Sequence, residues 1–244
     1  EAAAAASLSH PNIVRIYEVG REQGQWFFSM EYIPGEELGA WARSRVLDAA
    51  SVARLVRELA GAVEYAHSQG IWHHDLKPAN VLVDAEGRLR LMDFGLARRR
   101  DFRTQPDASA GVGSPNYLAP EQASDRYGEP RAVTDVFGLG GILYHLLTDR
   151  PPFEGETVAE TLKAVLELDP VRPGLLRTGV PADLEAICLK CLQKSRNDRY
   201  SSAQELADDL ARFLSDKPTR ARPAPVAERV FKWHRRNRLL SVVV

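Results

Sequence analysis

Two short polar motifs carry the residues of this chain that could do chemistry. The first covers residues 73–80 (HHDLKPAN), and the second, residues 93–95 (DFG), begins thirteen positions after Asn80. Magnesium prefers carboxylate, amide and phosphate oxygens, so Asn80 and Asp93 could hold it against the phosphates of a nucleotide. Asp75 then remains for a substrate hydroxyl group. The spacing therefore points to magnesium-dependent phosphoryl transfer.

Apolar patterns around the motifs predict the elements that position them. Residues 81–83 and 89–91 flank a turn sequence, which predicts a hairpin with Asn80 and Asp93 side by side at its open end. Before the first motif, an apolar stripe at helical spacing predicts a long helix that leads into it. This stripe consists of Val52, Leu55, Val56, Leu59, Val63 and Ala66.

Further patterns predict a helical domain behind a small β-structure. Residues 133–147 are apolar almost all round, as in a buried central helix, and Asp135 is costly to bury there unless it is hydrogen-bonded. Three more helical stripes begin at Val158, Leu184 and Leu206. Upstream, β-branched and aromatic runs within residues 13–33 predict a hairpin that ends at a Pro-Gly pair.

The two motifs resemble those of the protein kinase family, which read His-Arg-Asp-Leu-Lys-Pro-x-Asn and Asp-Phe-Gly. Residues 119–121 (APE) resemble the end of the family's activation segment, and residues 113–117 (GSPNY) resemble the stretch that receives the substrate. The resemblance implies an α+β, protein kinase-like fold. We expect mainly the helical large lobe, with a remnant of the small lobe made of the end of helix C and a β-hairpin.

The same resemblance implies a role for each motif residue. Asp75 would orient the substrate hydroxyl, Lys77 would contact the transferring phosphate, and Asn80 and Asp93 would hold Mg²⁺ or Mn²⁺. The implied activity is transfer of the ATP γ-phosphate to serine or threonine hydroxyls of proteins. Lys77 supports that acceptor, because tyrosine-specific members carry alanine or arginine there.

Two further sets of residues follow from the resemblance. Met30 would be the gatekeeper, with backbone groups of Glu31 and Ile33 on the adenine. The residues expected to contact ATP are Glu1, Met30, Glu31, Ile33, Leu82, Asn80 and Asp93. Structural or regulatory roles are expected for His73, packed under Phe94, for Asp135, which braces the catalytic loop, and for His74, Phe94, Gly95, Ser114, Glu121 and Arg199.

His74 is the sharpest departure from the family pattern, because it replaces the usual arginine. An arginine would form a two-pronged contact with a phosphorylated activation-loop residue, whereas histidine is mostly neutral at pH 7 and binds phosphate less well. We therefore predict weak dependence on activation-loop phosphorylation, with Thr104 and Ser109 as the candidate phosphorylation sites.

Two classes of function stay open. The sequence contains no glycine-rich loop and no Val-Ala-x-Lys strand, and Glu1 falls at the family's helix-C glutamate, so we interpret it as a kinase fragment with little activity alone. The alternative is a pseudokinase or docking module that binds protein partners. The complete set of metal-binding and catalytic residues favours catalysis.

The composition is typical of a water-soluble domain. The 244 residues are 44% hydrophobic and 27% charged, and the net charge of −1 argues against a nucleic-acid partner. The two cysteines offer no disulfide framework, which favours a cytoplasmic location, and Cys188 and Cys191 suit a helix core better than a redox or zinc site.

We divide the chain into four parts: residues 1–33 (small-lobe remnant and hinge), 34–216 (large lobe), 217–238 (a basic, proline-containing linker) and 239–244 (an apolar stub). Positive charge before an apolar start is typical of a cytoplasmic juxtamembrane boundary. We therefore hypothesise a kinase domain anchored at the inner face of a membrane. The alternative is a merely solvated tail.

Overall fold

The computed structural model describes residues 6–22, 25–94 and 115–223 of the chain. These residues contain helices and two small antiparallel sheets, joined by turns and irregular segments. Five residues singled out above lie outside the described ranges, as does the stub at 239–244; the five are Glu1, Gly95, Thr104, Ser109 and Ser114.

The first sheet is the hairpin predicted near the start of the chain. Strand β1 (Ile16–Glu22) pairs with β2 (Gln25–Met30), so that Ile16 faces Met30. Ile13, which the pattern placed in the hairpin, forms a bridge with Leu91 instead. Residues 12–14 therefore attach the hairpin to the rest of the domain.

The second sheet contains β3 (Gly35–Glu37), β4 (Val81–Asp84) and β5 (Leu89–Leu91), in that order. The predicted β4–β5 hairpin is confirmed. Its turn is stabilised by Asp84 Oδ1, which accepts the backbone N–H groups of Glu86 and Arg88 at 3.1 and 2.8 Å. Strand β3 was not predicted, because its exposed Gly-Glu-Glu sequence lacks the residues that favour strands.

Eight α-helices lie in the described ranges. They are α1 (Leu38–Arg43), α2 (Ala49–Ser68), α3 (Pro120–Ala123), α4 (Ala132–Thr148), α5 (Val158–Glu167), α6 (Pro173–Leu176), α7 (Ala182–Cys191) and α8 (Ala203–Leu214). Helix α2 begins where the side chain of Asp48 accepts the N–H of Ser51 at 2.7 Å, a stabilising N-cap.

Helix α4 lies at the centre of the helical part, against α2, α7 and α8. All its residues from Thr134 to Leu147 are buried, which confirms the predicted central helix. Gly138 permits close packing, since a Cβ atom at this position would lie 2.6 Å from the Cβ of Leu76. Helix α4 therefore directly supports the segment that contains the first motif.

Burial in the helices differs from one sequence expectation and agrees with another. In α5 the predicted stripe residue Val165 is buried, but Val158 is 40% exposed, and Thr161 and Ala164 are buried as well. Cys188 and Cys191 are free and fully buried, as predicted.

The segment that follows α8 packs back onto the helices. The side chain of Asp209 accepts the backbone N–H groups of Arg220 and Ala221 at 2.6 and 2.9 Å, and Thr219 is buried. Contacts with the large lobe thus continue into the predicted linker as far as the described chain extends. No helix in the described ranges is both long and apolar enough to cross a membrane.

Candidate active site

The first motif occupies an irregular segment between α2 and the second sheet. Helix α2 ends at Ser68, and Gly70 adopts a positive φ of 73°, which turns the chain back toward the core. A 3₁₀ turn at Pro78–Asn80 then leads directly into β4. We call residues 71–80, which lie between the turn after α2 and the start of β4, the catalytic loop, after the role expected from the sequence.

Three motif residues meet at the carboxylate of Asp75. Lys77 Nζ donates to Asp75 Oδ2 at 2.8 Å, and Asn80 Nδ2 donates to the same oxygen at 2.9 Å and to the Asp75 backbone oxygen at 2.7 Å. Asn80 is buried, whereas the Asp75 side chain keeps 33% of its surface exposed. The loop therefore holds a solvent-accessible carboxylate in a fixed orientation beside a lysine.

Asp93 follows β5 and lies at the open end of the β4–β5 hairpin. Met92 N donates to the backbone oxygen of Asn80 at 3.0 Å. This bond joins the start of β4 to the end of β5, so Asn80 lies beside Met92 and its neighbour Asp93. Burial raises the pKa of Asp93, and the nearby charge of Asp75 raises it further, while His73 and Lys77 oppose the shift. A cation bound here would favour the charged form of Asp93.

These donors fit a magnesium ion that also binds phosphate. The amide nitrogen of Asn80 is engaged by Asp75, so its oxygen is the atom suited to a metal, as is the carboxylate of Asp93. Within the described ranges, no three His, Cys, Asp or Glu side chains form a metal-binding group. Nucleotide oxygens and water would have to complete the coordination, which is how Mg²⁺ commonly binds with ATP.

Asp135 connects the catalytic loop to helix α4. Its Oδ2 accepts the backbone N–H of His73 at 2.8 Å, and its Oδ1 accepts that of His74 at 2.7 Å. His67 Nε2 lies 2.8 Å from Oδ2 and supplies a third contact from α2. Burial tends to raise the pKa of Asp135, but the hydrogen bond from His67 and the nearby histidines outweigh it and lower the pKa.

His73 lies under the second motif. Its ring centroid is 4.7 Å from that of Phe94, both side chains are buried, and His73 Nε2 lies 2.9 Å from the backbone oxygen of Met92. Burial lowers the pKa of His73, which favours a neutral ring. The histidine therefore joins the catalytic loop to the chain just before Asp93.

The residues expected around adenine lie in the two sheets and in the connection between them. Met30 ends β2 and is 37% exposed, and Glu31 forms an ion pair with Arg90 of β5. Ile33 is partly buried in the connection between β2 and β3, and Leu82 pairs with Glu37 in the second sheet.

Sequence reasoning missed three polar residues that position these elements. His67 on α2 supports Asp135 through its Nε2 atom. Asn12 donates through Nδ2 to the backbone oxygen of Leu89 at 2.9 Å and so attaches the hairpin to β5. Gln122 contacts the catalytic loop from α3. Only His67 gave a signal in the sequence, because it lies four residues after Val63 and therefore on the predicted apolar stripe.

Known families and proteins resemble this chain in sequence. The family model described as protein kinase domain matches residues 1–210. This chain belongs to the protein kinase family. It is 34% identical over 227 residues to the serine/threonine-protein kinase PknB of Mycobacterium leprae, covering 91% of this chain and 36% of that protein. It is also 34% identical to the serine/threonine-protein kinase PrkC of Bacillus subtilis, covering 86% of this chain and 32% of that protein.

The fold of this chain is also similar to that of solved kinase structures. The crystal structure of the Mycobacterium tuberculosis PknI kinase domain matches with a TM-score of 0.67 and 27% identity, covering 86% of this chain and 75% of that one. The predicted α+β, kinase-like fold is therefore confirmed, as is the resemblance to bacterial Ser/Thr kinases. The chain spans about a third of the length of the curated relatives described above.

Proposed function

We propose that this chain is the catalytic part of a protein kinase that transfers the γ-phosphate of ATP to serine or threonine hydroxyls of proteins. One observation carries the proposal: the partly exposed carboxylate of Asp75 is fixed by Lys77 and Asn80, next to Asp93. Family membership and the names of the relatives support the same class of reaction.

Each side chain has a distinct task in this proposal. Asp75 accepts a hydrogen bond from the substrate hydroxyl and orients its oxygen toward the γ-phosphorus. Lys77, whose Nζ is 2.8 Å from Asp75, places positive charge where the transferring oxygens gain negative charge. Mg²⁺ held by Asn80 and Asp93 would supply further charge neutralisation on the phosphates.

Catalysis is favoured over the pseudokinase alternative because the polar set is complete and mutually oriented. A scaffold that only binds proteins requires no carboxylate held 2.8 Å from a lysine, and no second carboxylate that is partly buried beside the first. Burial raises the pKa of Asp93 and so disfavours its charged form, and a bound metal ion would relieve that cost.

The test measures phosphoryl transfer by the full-length protein with radiolabelled ATP, Mg²⁺ and a generic Ser/Thr protein substrate. Asp75→Asn should reduce kcat by about 100-fold or more, the scale of general acid–base catalysis, with little change in ATP affinity. Asp208→Asn is the matched control, because Asp208 is exposed on α8. Equal activity of the Asp75→Asn variant and wild type would refute the proposal.

We also propose that the domain works at the inner face of a membrane. The support is the basic composition of residues 217–238, where Glu228 is the one acidic residue in the sequence, followed by the apolar stub 239–244. Fractionation of cells should place the full-length protein with membranes, and recovery in the soluble fraction would contradict this.

A further inference from the structure

The side chain of Gln122 joins the end of the activation segment to the catalytic loop. Gln122 Nε2 donates to the backbone oxygen of His74 at 2.6 Å. Its Oε1 accepts the backbone N–H of Ala119 at 3.0 Å, which stabilises the first turn of α3. One amide group therefore contacts both segments, from a partly buried position.

The residue that receives this contact has an unfavourable backbone conformation. His74 has a φ of 60°, in the left-handed region where a residue with a Cβ atom is disfavoured by about 1 kcal/mol or more. Its N–H donates to Asp135 Oδ1 at 2.7 Å. His74 is therefore held on both sides, through its N–H by Asp135 and through its carbonyl by Gln122.

The carbonyl of His74 belongs to the peptide group whose nitrogen is that of Asp75. The orientation of this peptide plane sets the direction in which the Asp75 side chain leaves the backbone. If the contact with Gln122 were lost, the plane could rotate and His74 could relax toward negative φ. The Asp75 carboxylate would then move from the position that Lys77 and Asn80 define.

We propose that Gln122 is a positioning residue, which maintains the strained conformation of His74 and thereby the orientation of Asp75. This inference rests on the proposed function, because it assigns to Gln122 the task of positioning the catalytic carboxylate. The helix α3 that contains Gln122 is itself fixed, since the neighbouring Glu121 is buried and paired with Arg199. Gln122 thus transmits the position of the activation segment's end to the catalytic loop.

Two substitutions separate this role from simple capping of α3. Gln122→Glu preserves size and an oxygen for the Ala119 N–H, but a carboxylate cannot donate to the His74 carbonyl. Gln122→Met preserves approximate volume and removes both contacts. We expect both variants to reduce kcat about tenfold, with KM for ATP changed less than about twofold, because small displacements of reacting groups are costly. Wild-type kcat in Gln122→Glu would show a capping role only and overturn the proposal.

The backbone strain at His74 gives a second, independent readout. Glycine adopts positive φ without penalty, so His74→Gly should maintain the loop conformation with less help from Gln122. In that background, the Gln122→Glu effect on kcat should shrink from about tenfold to about twofold or less, a coupling measured by a double-mutant cycle. An equal loss in both backgrounds would contradict a role through His74.

Hydrogen exchange distinguishes failure of this inference from failure of the proposed function. Amide exchange in residues 73–77 of the full-length protein should be faster in Gln122→Glu than in wild type, and this needs no catalysis. Unchanged exchange overturns the inference even if Asp75→Asn confirms the kinase reaction. If Gln122→Glu does not fold, as judged by thermal unfolding, Gln122→Met is measured in the wild-type and His74→Gly backgrounds, because loss of the α3 cap alone would reduce kcat equally in both and overturn the proposal.

Discussion

Glu121 and Arg199 form an ion pair that is completely excluded from solvent. Arg199 Nη1 lies 2.7 Å from Glu121 Oε1, and Nη2 lies 2.9 Å from Oε2, a two-pronged arrangement. Thr134 adds a hydrogen bond to Glu121 Oε1 at 2.9 Å. Because the two residues are 78 positions apart in sequence, this pair fixes the end of the activation segment against the C-terminal helices.

Breaking this pair should destabilise the domain strongly. Arg199→Met leaves the Glu121 carboxylate buried without its positive partner, a change that typically costs about 3–5 kcal/mol. Urea unfolding of the variant and wild type measures the difference. Arg57→Met, at an exposed position on α2, is the control and should change the free energy of unfolding by about 0.5 kcal/mol or less. A loss below about 1 kcal/mol for Arg199→Met would contradict this account.

Adding one methyl group at Gly138 should disturb both stability and catalysis. The new Cβ would lie 2.6 Å from the Leu76 Cβ and 3.2 Å from its backbone oxygen, so the catalytic loop must shift. We expect Gly138→Ala to cost about 1–3 kcal/mol and to lower kcat. Thermal unfolding and phosphoryl-transfer assays provide the two measurements.

Gly61→Ala is the matched control for that substitution. Gly61 also lies within a helix, but its Cβ would meet no atom within 4 Å. Alanine should therefore stabilise α2 by up to about 1 kcal/mol through helix propensity. A destabilising Gly61→Ala, or a neutral Gly138→Ala, would show that close approach is not what distinguishes the two positions.

Local patterns were sufficient to predict the β4–β5 hairpin, α2 and α4, because each has a clear period or an uninterrupted apolar run. They also placed Asn80 and Asp93 at the same end of one hairpin. The short strand β3 escaped prediction, since its Gly-Glu-Glu sequence carries no strand signal and is set by pairing with β4.

The contacts that orient the catalytic loop could not be predicted from spacing alone. Asp135 and Gln122 contact the backbone of residues 73 and 74 from two different helices, and His67 contacts Asp135 from a third, so the arrangement depends on tertiary packing. The left-handed backbone of His74 is equally invisible to a pattern, because only the surrounding hydrogen bonds make that conformation favourable.

Activity should depend only weakly on phosphorylation of the activation segment. The His74 ring lies 5.7 Å from that of Trp72, and its Nε2 atom is buried with no hydrogen-bond partner in the described parts of the chain. We expect full-length protein with Thr104→Ala and Ser109→Ala to retain at least about half of wild-type kcat, because histidine is a weaker phosphate ligand than arginine. Near-complete loss of phosphoryl transfer in the double variant would refute this prediction.

Stability should rise with pH in the alkaline range because of Lys194. Its Nζ donates to the backbone oxygen of Val165 at 2.6 Å and lies 3.8 Å from the Phe153 ring centroid. Burial lowers the pKa of Lys194 to about 8 from an ordinary value of 10.5. Between these two values the unfolded chain binds more protons than the folded protein, so the free energy of unfolding rises with pH.

Lys194→Met provides the comparison for this effect. The free energy of unfolding of wild type minus that of the variant should increase from about pH 7.5 to about pH 9.5, as measured by urea titration. Parallel pH dependence of the two proteins would show that Lys194 is not responsible.

Asn80 and Asp93 are proposed to hold a divalent cation against the phosphates of ATP. Calorimetric titration of ATP into the full-length protein, with and without Mg²⁺, tests this most directly in wild type and Asp93→Asn. Asparagine tolerates the positive φ of 65° at this position but lacks the charge. We predict that Mg²⁺ strengthens ATP binding by wild type and that Asp93→Asn removes most of this gain. An equal gain in both proteins would contradict the account.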